Sequence, residues 1–459
     1  MNDQQNAVVQ VLVQAAAFNW AEPYRAPDGS SAYGSGFFID ELGHLVTNYH
    51  VVSQAISIEF YLPSFGKEQF QAKIVGVCPT RDVALLKATD ESIERIKKTL
   101  GSVPFLNLGD SDTVVRTQEV ITLGFPLGQD AIKSTQGIVS GRQHIMGESF
   151  IQITAALNPG SSGGPTVDKD NNVIGINTSI VPEAQNVGYI IPISDIKGVI
   201  EDLHNVMLLR TPRLGCELNY GSNEMLEYLG NPQPGGLYVS RVYKNTLLDK
   251  AGMQEGDMLY HIGGHELDMY GEAREPWSEG KVSLTALLNR FRIGQKIPLL
   301  VYRSGKKIET TVSFDLQEPL PIRMVFPELE KIEIEMLGGI IVMPLTMNHI
   351  MFFAELNPFL VDFNRREMQE EPRVLVTSIL PNTQAYNGRT LFPGDVIEEI
   401  NGKKVRTLED FRAAIQLDSK FLRIKTHNRK LVVFSASKII EEHEGLIRAQ
   451  GAQEEKDRN

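Results

Sequence analysis

The stretch Asn158-Pro159-Gly160-Ser161-Ser162-Gly163-Gly164-Pro165 carries the strongest chemical signal in the sequence. A serine hydroxyl becomes a nucleophile when a base removes its proton, and the reaction needs hydrogen-bond donors aimed at the developing oxyanion. Glycines around a serine let the backbone turn so that its N–H groups converge. The motif predicts that Ser162 is a nucleophile and that the N–H groups of Gly160, Ser161 and Ser162 form an oxyanion hole. A Gly/Ser loop without chemistry is the alternative.

Two residues that precede this motif can supply the base and the acid that orients it. His50 lies in the stretch 47–52 (TNYHVV), at the end of an apolar strand, and Asp82 lies at the start of another apolar strand, in 82–87 (DVALLK). Taken alone, each residue is more often structural. Together with Ser162 they give the chain order His, Asp, Ser, which is the chymotrypsin order and differs from the orders of subtilisin and the α/β-hydrolases. This order predicts a chymotrypsin-like double barrel.

The spacing of apolar residues around these positions is typical of an all-β domain. Short apolar or alternating runs are separated by Gly, Asp, Asn and Pro turns, as in barrels and sandwiches. A helix is predicted over 91–100, and another over 194–206 closes the domain. The predicted strands are 36–39, 45–47, 56–61, 73–77, 83–87, 119–123 and 173–176.

The remaining chain contains a duplicated module. The segment 256–264 (GDMLYHIGG) matches 394–402 (GDVIEEING) at an offset of 138 residues. A length of 459 residues is consistent with about three domains. We therefore expect an N-terminal segment, a catalytic domain, a first module, a linker, a second module and a polar helix or tail. Their predicted limits are 1–33, 34–207, 213–315, 316–336, 337–437 and 438–459.

Composition excludes several functions. The net charge of −12 argues against a general affinity for nucleic acid. Cys78 and Cys216 lie far apart without a CxxC spacing, so neither a disulfide framework nor a cysteine zinc site is expected. The sequence also lacks a phosphate-binding Gly-rich motif followed by Lys-Ser/Thr. We expect no cofactor, no metal and no use of ATP.

The N-terminal residues bear on the compartment. No apolar run reaches 18 residues, so no membrane span is expected. The N-terminus lacks a basic start, and Gln10 and Gln14 interrupt its apolar stretch. The sequence as it stands predicts a cytoplasmic location. A bacterial periplasm or cell envelope is the alternative if a leader is missing.

Five segments together resemble the HtrA (Deg/DegP) family of serine proteases: 34–39, 47–52, 82–87, 160–165 and 173–178. The two later modules resemble PDZ domains, and the N-terminal features together with the long second module resemble the plant-type Deg branch. The resemblance implies a mainly β fold, with a chymotrypsin-like double β-barrel followed by two PDZ-like α+β domains. It also implies an ATP-independent endopeptidase for unfolded or damaged proteins, assembled as a homotrimer or a multiple of trimers.

The resemblance assigns roles by position. Ser162 is the nucleophile, His50 the general base and Asp82 the group that orients it. Ser161 stands where the family usually has Asn, and Pro159 replaces a more flexible residue. The S1 pocket is built from Ala156, Leu157 and Asn177, which implies cleavage after small or medium aliphatic residues such as Val, Ala or Ile. Ala156 as packed core is the alternative.

The PDZ resemblance implies that C-terminal peptides bind by strand addition next to a loop that holds their carboxylate. In the first module this site is Leu214, Gly215, Cys216, Glu217 and Leu218. In the second it is 336–340, followed by a long stretch, 344–369, that covers the groove or contacts another subunit. Peptide binding or neighbouring subunits would then order the protease loops 129–147 and 180–186. The alternative for both modules is a spacer or an oligomer contact.

Two other functions stay open at this point. One is a non-enzymatic chaperone or scaffold with a vestigial barrel. The other is a narrow regulatory protease that recognises a particular C-terminus.

Overall fold

The computed structural model describes residues 5–145, 147–178, 187–415 and 419–457, with side chains described as far as residue 449. The chain divides into two compact units. The first unit contains Met1–Ala15 and Ser30–Gln317, and the second contains Ala16–Gly29 and Glu318–Asn459.

The first unit begins with a closed six-stranded barrel in the order β1-β2-β3-β6-β5-β4. Strand β1 alternates buried Val9, Val11 and Val13 with polar or half-buried residues, which is the pattern of a strand with one face in a core. It pairs with β4 and closes the barrel, so the barrel begins ahead of the predicted boundary at residue 34. The elements are β1 (Val8–Ala17), β2 (Asp28–Phe38), β3 (His44–Thr47), α1 (Tyr49–Val52), β4 (Ala55–Tyr61), β5 (Phe70–Cys78), β6 (Val83–Ala88) and α2 (Asp90–Leu100).

A second closed barrel follows, in the order β10-β11-β12-β9-β8-β7. Both predicted helices are confirmed, as α2 and as α3, which packs on this barrel. The predicted loop 129–147 is wrong for most of its length, because Lys133–Ile145 forms a long strand paired to β7 and β9. The other predicted loop, 180–186, lies outside the described residues. The elements are β7 (Glu119–Gly124), β8 (Lys133–Ile145), β9 (Glu148–Ile153), β10 (Pro165–Val167), β11 (Val173–Thr178), β12 (Gly188–Pro192) and α3 (Ile193–Leu203).

The two barrels share one apolar core. Phe37 and Leu85 of the first barrel lie in the same buried cluster as Leu123 and Ile176 of the second. Ile196 of α3 belongs to this cluster too. The chymotrypsin-like double β-barrel is thus confirmed, and the segments that carry the candidate site meet where the barrels adjoin.

The middle domain completes the first unit. Its sheet has the order β13-β14-β15-β19-β20, with β16 paired to β15, so β13 lies at an edge. The elements are β13 (Cys216–Tyr220), α4 (Asn223–Leu229), β14 (Leu237–Val242), α5 (Leu247–Lys250), β15 (Met258–Ile262), β16 (His265–Glu266), β17 (Glu272–Arg274), β18 (Lys281–Ser283), α6 (Leu284–Leu288), β19 (Lys296–Arg303) and β20 (Lys306–Ser313).

The C-terminal domain repeats this topology with one extra strand. Its order is β21-β22-β23-β24-β26-β27, with β25 paired to β24. The two copies of the repeated segment occupy equivalent strands, β15 and β24, each followed by a short hairpin partner. The elements are β21 (Glu335–Leu337), β22 (Ile340–Pro344), α7 (Met347–Phe353), α8 (Arg366–Gln369), β23 (Val374–Ile379), α9 (Gln384–Gly388), β24 (Val396–Ile400), β25 (Lys403–Lys404), α10 (Leu408–Ala414), β26 (Phe421–Thr426), β27 (Leu431–Ser435) and α11 (Ala436–Asp457).

Candidate active site

His50 and Asp82 are joined by two hydrogen bonds. The His50 ring Nδ1 lies 2.8 Å from Asp82 Oδ2, and the His50 backbone N–H donates to Asp82 Oδ1 over 2.9 Å. Thr178, at the end of β11, donates its hydroxyl to Asp82 Oδ2 over 3.4 Å. With Nδ1 held against a carboxylate as a donor, the Nε2 atom of a neutral imidazole is left as the proton acceptor.

The backbone of Asp82 is held in a sparsely populated conformation. A 3₁₀ turn over Pro79–Arg81 precedes it, and its φ of 51° and ψ of 44° are left-handed. The Asn48 side-chain amide donates to the Asp82 carbonyl over 2.9 Å. A non-glycine residue in this region costs on the order of 1–3 kcal/mol, and such strain clusters at functional sites. The turn aims the carboxylate at α1, where His50 lies.

Ser35 anchors the serine loop from the first barrel. Its hydroxyl donates to the Gly160 carbonyl over 2.7 Å and accepts the Phe125 N–H over 2.9 Å. Its own N–H donates to the Ser162 carbonyl over 2.8 Å. Ser35 is not among the site residues predicted from the sequence. In the sequence Ser35 shows only its position between Gly34 and Gly36, because its partner Gly160 lies 125 positions away in the chain.

Gly163 brings the serine loop against the segment that leads to His50. Its φ is +85°, and a Cβ built on it would lie 2.2 Å from the Ser35 carbonyl and 2.3 Å from Thr47 Oγ1. The same Cβ would lie 3.1 Å from the Asn48 backbone nitrogen. No side chain fits in this gap. The glycine therefore allows Ser162 to approach the start of α1.

The three predicted oxyanion amides differ in their hydrogen bonds. The Ser161 N–H donates to the Asn158 carbonyl over 2.9 Å, so it is committed within the loop. Gly160, with φ at +95°, and Ser162 donate no backbone hydrogen bond within the part of the chain that the structure describes. These two amides are therefore the ones left to bind a ligand oxygen. Ser161 does not take the place predicted for it.

The predicted S1 residues fall into two groups. Ala156 is exposed and Leu157 is half-buried next to the core of the second barrel. Asn177 is buried instead. Its side chain accepts the Thr166 hydroxyl over 2.5 Å and donates to the Leu123 carbonyl over 3.2 Å. Because both ends of the amide are used in the core, Asn177 supports the serine loop and does not line an open pocket.

The Asn177 backbone has the same supporting role. Its carbonyl accepts the Gly163 N–H over 3.0 Å, and its N–H donates to the Gly164 carbonyl over 2.8 Å. Strand β11 thus holds the serine loop in place through these two backbone hydrogen bonds.

The predicted peptide-binding residues of the middle domain surround a tight turn before β13. Gly215 has φ at +79°, and a Cβ on it would lie 2.1 Å from the Thr246 Cβ. Leu214 is buried in the domain core, and Glu217 accepts a hydrogen bond from the Tyr243 hydroxyl over 2.5 Å. Burial, reinforced by the Glu217 charge, raises the pKa of Cys216 to about 12. The thiolate form of Cys216 is therefore disfavoured, which argues against a reactive thiol at this position.

In the C-terminal domain the residues predicted as a carboxylate loop form a hairpin turn. Gly338 and Gly339 have φ values of +53° and +82°, and they connect the paired residues Leu337 and Ile340. Two positive-φ residues between paired strands are typical of a two-residue hairpin. The segment 336–340 is thus part of the sheet and not an open loop.

Over the described ranges, no group of three or more His, Cys, Asp or Glu side chains is placed to hold a metal ion. Among the helices of the described part, none is both long and apolar enough to cross a bilayer.

Comparison with known families assigns two parts of the chain. Residues 34–176 match the trypsin-like peptidase domain, and residues 352–425 match the PDZ domain. The "Probable periplasmic serine endoprotease DegP-like" of Marinomonas sp. (strain MWYL1) is 28% identical over 388 residues, which cover 83% of this chain and 73% of that protein. The "Serine protease Do-like HtrA" of Bacillus subtilis (strain 168) is 28% identical over 333 residues, 68% of this chain and 69% of its own length.

Solved structures agree with this assignment. The HtrA-type protease AlgW with decapeptide superposes with a TM-score of 0.53 at 26% identity, covering 69% of this chain and 98% of that one. AlgW with tripeptide gives a TM-score of 0.53 at 28% identity, covering 69% and 96%. The plant-type branch stays a prediction, and a cytoplasmic location is not confirmed, since several relatives are named periplasmic. The chain is a serine endopeptidase with a trypsin-like peptidase domain and a C-terminal PDZ domain, and it is similar to the HtrA-type (DegP-like) serine proteases.

Proposed function

We propose that Ser162, His50 and Asp82 form the catalytic triad of an endopeptidase that degrades unfolded or damaged proteins without ATP. The observation that carries this proposal is the doubly hydrogen-bonded His50–Asp82 pair beside a glycine-shaped serine loop. Thr178 and Asn48 hold the aspartate, and Ser35 and Asn177 hold the loop. Those four are positioning residues.

In the proposed mechanism His50 Nε2 removes the proton of the Ser162 hydroxyl as Oγ attacks the scissile carbonyl carbon. The carbonyl π bond opens to an oxyanion, and Asp82 stabilises the imidazolium that forms. Collapse of the tetrahedral intermediate breaks the C–N bond, and the imidazolium gives its proton to the leaving amine. A water molecule, activated by His50 in the same way, hydrolyses the acyl-enzyme and restores the serine.

The oxyanion is held by the N–H groups of Gly160 and Ser162. These amides are free of partners in the described part of the chain, whereas Ser161 is committed to Asn158. The structure has no hydrogen bond between Ser162 Oγ and His50 Nε2 within the described residues. Catalytic hydrogen bonds are often long in ligand-free sites and tighten when substrate binds.

The residues predicted to form the S1 pocket determine the substrate preference. Ala156 is small and exposed, Leu157 is apolar, and neither offers a charge to pair with Lys or Arg. We therefore expect cleavage after Val, Ala or Ile. Asn177 plays no direct part in this selection, because its side chain is committed in the core.

Regulation and assembly complete the proposal. C-terminal peptides bind by strand addition at the edge strand β13, beside the Leu214–Leu218 turn, because this edge is unpaired within the described residues. The chain works as a homotrimer or a multiple of trimers. It acts in the bacterial cell envelope, where the relatives named periplasmic are found.

The test is digestion of reduced, unfolded β-casein by the wild type, Ser162→Ala and the surface control Ser102→Ala. We expect cleavage by the wild type and the control, with aliphatic P1 residues in the sequenced products, and a loss of at least about 10³-fold in Ser162→Ala. Undiminished cleavage by Ser162→Ala would contradict the proposed nucleophile. Cleavage by none of the three, with or without C-terminal peptides, would favour a chaperone or scaffold.

A further inference from the structure

The edge strand β13 of the middle domain carries an exposed tyrosine at its far end. Cys216 and Leu218 pack against the apolar core of the domain. Tyr220 lies on the same face of the strand, because successive side chains point to opposite faces. The bulge in the β13–β14 pair lies on β14, where Ser240 has no residue opposite it, so the alternation along β13 is unbroken. The face that begins with Cys216 therefore ends with Tyr220.

The position of Tyr220 determines which residue of an added peptide it meets. A peptide whose carboxylate lies at the turn before β13 runs antiparallel to the strand, with its last residue opposite Cys216. Its third residue from the end then lies opposite Leu218, and its fifth residue from the end lies opposite Tyr220. Directly opposite residues share a face, with their Cβ atoms about 4.5–5.5 Å apart. Tyr220 is therefore the neighbour of the fifth residue from the peptide's C-terminus.

Tyr220 is one member of an exposed aromatic pair. The ring centroids of Tyr220 and Tyr270 are 5.7 Å apart, and the two rings are inclined at 72°. The residues are 68% and 60% exposed. The loop that carries Tyr270 is joined to the end of β13, because the Gly221 N–H donates to the Met269 carbonyl over 2.9 Å. Two aromatic rings thus lie in solvent at the far end of the peptide edge.

The charges around this pair favour a cationic partner. The segment 264–275, which contains Tyr270, has Arg274 as its one Lys or Arg residue. Lys281 pairs with Asp268 and still leaves an excess of negative charge. A Lys or Arg head group is attracted to the face of an aromatic ring, and a negative surface adds to this attraction. The carboxylates of the segment are Glu266, Asp268, Glu272 and Glu275.

We propose that Tyr220 and Tyr270 select C-terminal peptides that carry Arg or Lys at the fifth residue from the end. The inference deepens the proposed function and rests on strand addition at β13. A cation over one exposed ring raises affinity about two- to fivefold. With two rings available, we expect a preference of about five- to tenfold for Arg over Ala at this peptide position.

The test is fluorescence-anisotropy binding of labelled nonapeptides to the full-length Ser162→Ala chain, which lacks the proposed nucleophile. The parent peptide is Gly-Gly-Ser-Ser-Arg-Ser-Val-Ser-Val with a free carboxylate. Its two valines lie opposite Cys216 and Leu218, which are half-buried against the apolar core. Three further peptides replace the Arg by Ala, Phe or Glu. A fourth exchanges the Arg with the Ser before it, and amidated forms of the parent and Ala peptides lack the carboxylate.

The tyrosines are tested in the same Ser162→Ala chain by Tyr220→Leu and Tyr270→Leu, which keep an apolar side chain and remove the ring. Tyr228→Leu is the matched control. Tyr228 is 89% exposed and lies on α4, whose Leu226 packs in a different cluster from the one that Leu218 contacts. The control thus removes an exposed ring from the same domain but from the other face of the sheet.

We expect the parent peptide to bind about five- to tenfold more tightly than the Ala peptide, more tightly than the Phe peptide, and most tightly relative to the Glu peptide. Moving the Arg by one residue abolishes the preference. The preference falls to within about twofold in Tyr220→Leu and in Tyr270→Leu, and it is unchanged in Tyr228→Leu.

Equal binding of the Arg and Ala peptides, or tighter binding of the Phe peptide, overturns the inference whether or not the tyrosine variants fold. If amidation still weakens the binding of these peptides, the proposed strand addition at β13 is supported and only the Arg selection is wrong. A lack of binding by every peptide, or binding that amidation does not change, contradicts strand addition itself and this inference with it.

Discussion

Replacing Asp82 by asparagine removes one charge while keeping the shape of the pair with His50. The His50 backbone N–H needs an acceptor, so the carbonyl oxygen of the new side-chain amide takes the place of Asp82 Oδ1. The amide NH₂ then faces His50 Nδ1 and donates to it, where the carboxylate had accepted. The imidazole is forced to carry its proton on Nε2, and it can no longer accept the proton of Ser162.

The magnitude follows from the geometry. The charge-assisted hydrogen bond at 2.8 Å contributes about 1.5–3 kcal/mol. Two unit charges about 4 Å apart near a surface attract by about 4 kcal/mol. The His50 and Asp82 side chains are 49% and 29% exposed, so we reduce the total to about 4–5.5 kcal/mol. At 1.36 kcal/mol per factor of ten, this is a loss of about 10³–10⁴ in rate.

The assay is the initial rate of cleavage of fluorescently labelled β-casein at about pH 7.5. Asp40→Asn is the control, because Asp40 Oδ2 makes the same type of contact, 2.5 Å, with Nδ1 of His44 at the other end of β3. We expect the control to stay within about threefold of the wild type. If Asp82→Asn retains more than a tenth of the wild-type rate while folded, the assigned role of Asp82 is refuted.

Three further predictions concern packing, acid stability and thiol reactivity. Gly163→Ala places its Cβ 2.2 Å from the backbone oxygen of Ser35. Gly66→Ala is the control, because Gly66 also has a positive φ, +61°, but its Cβ would meet open space. We expect Gly163→Ala to lower the free energy of unfolding in urea by about 3 kcal/mol more than the control. Burial lowers the pKa of His349 to about 3, so the neutral form is favoured in the fold, and stability falls as pH drops below about 6.5. Unfolding followed by the fluorescence of Trp20, whose ring lies 4.9 Å from His349, should show that the free energy of unfolding falls by about 2 kcal/mol between pH 7 and pH 5. The His349→Asn variant should not show this decrease. Cys216, with a pKa of about 12, should react with iodoacetamide at pH 8.5 about 10³-fold more slowly in the native protein than in urea, and equal rates would contradict its burial.

The proposed triad can be read from the sequence because its chemistry restricts residue type and order. Ser162, His50 and Asp82 each lie in a short motif, and their order selects one fold among several. Ser35 could not be predicted as an anchor, since its contacts reach Phe125 and Gly160, far along the chain. Hydrogen bonds of this kind depend on how the two barrels pack together. No local sequence pattern predicts them.

Strands were predicted where alternation or apolar runs are clear and missed where they are not. The Lys133–Ile145 strand is rich in polar residues, so its sequence favours a loop. The Val8–Ala17 strand closes the first barrel by pairing with β4. No local sequence pattern predicts this pairing. The Gly338–Gly339 pair fits either a carboxylate-binding loop or a hairpin turn, and only the pairing of Leu337 with Ile340 decides between them.

The most direct test of the triad is the site of modification by a fluorophosphonate, which reacts covalently with activated serines. Mass spectrometry of tryptic peptides from the labelled protein would assign the adduct between the adjacent residues Ser161 and Ser162. We predict one adduct per chain on Ser162, abolished by His50→Ala and by Ser162→Ala. An adduct on Ser161, or labelling of Ser162 that is unchanged in His50→Ala, would contradict the assignment of nucleophile and base.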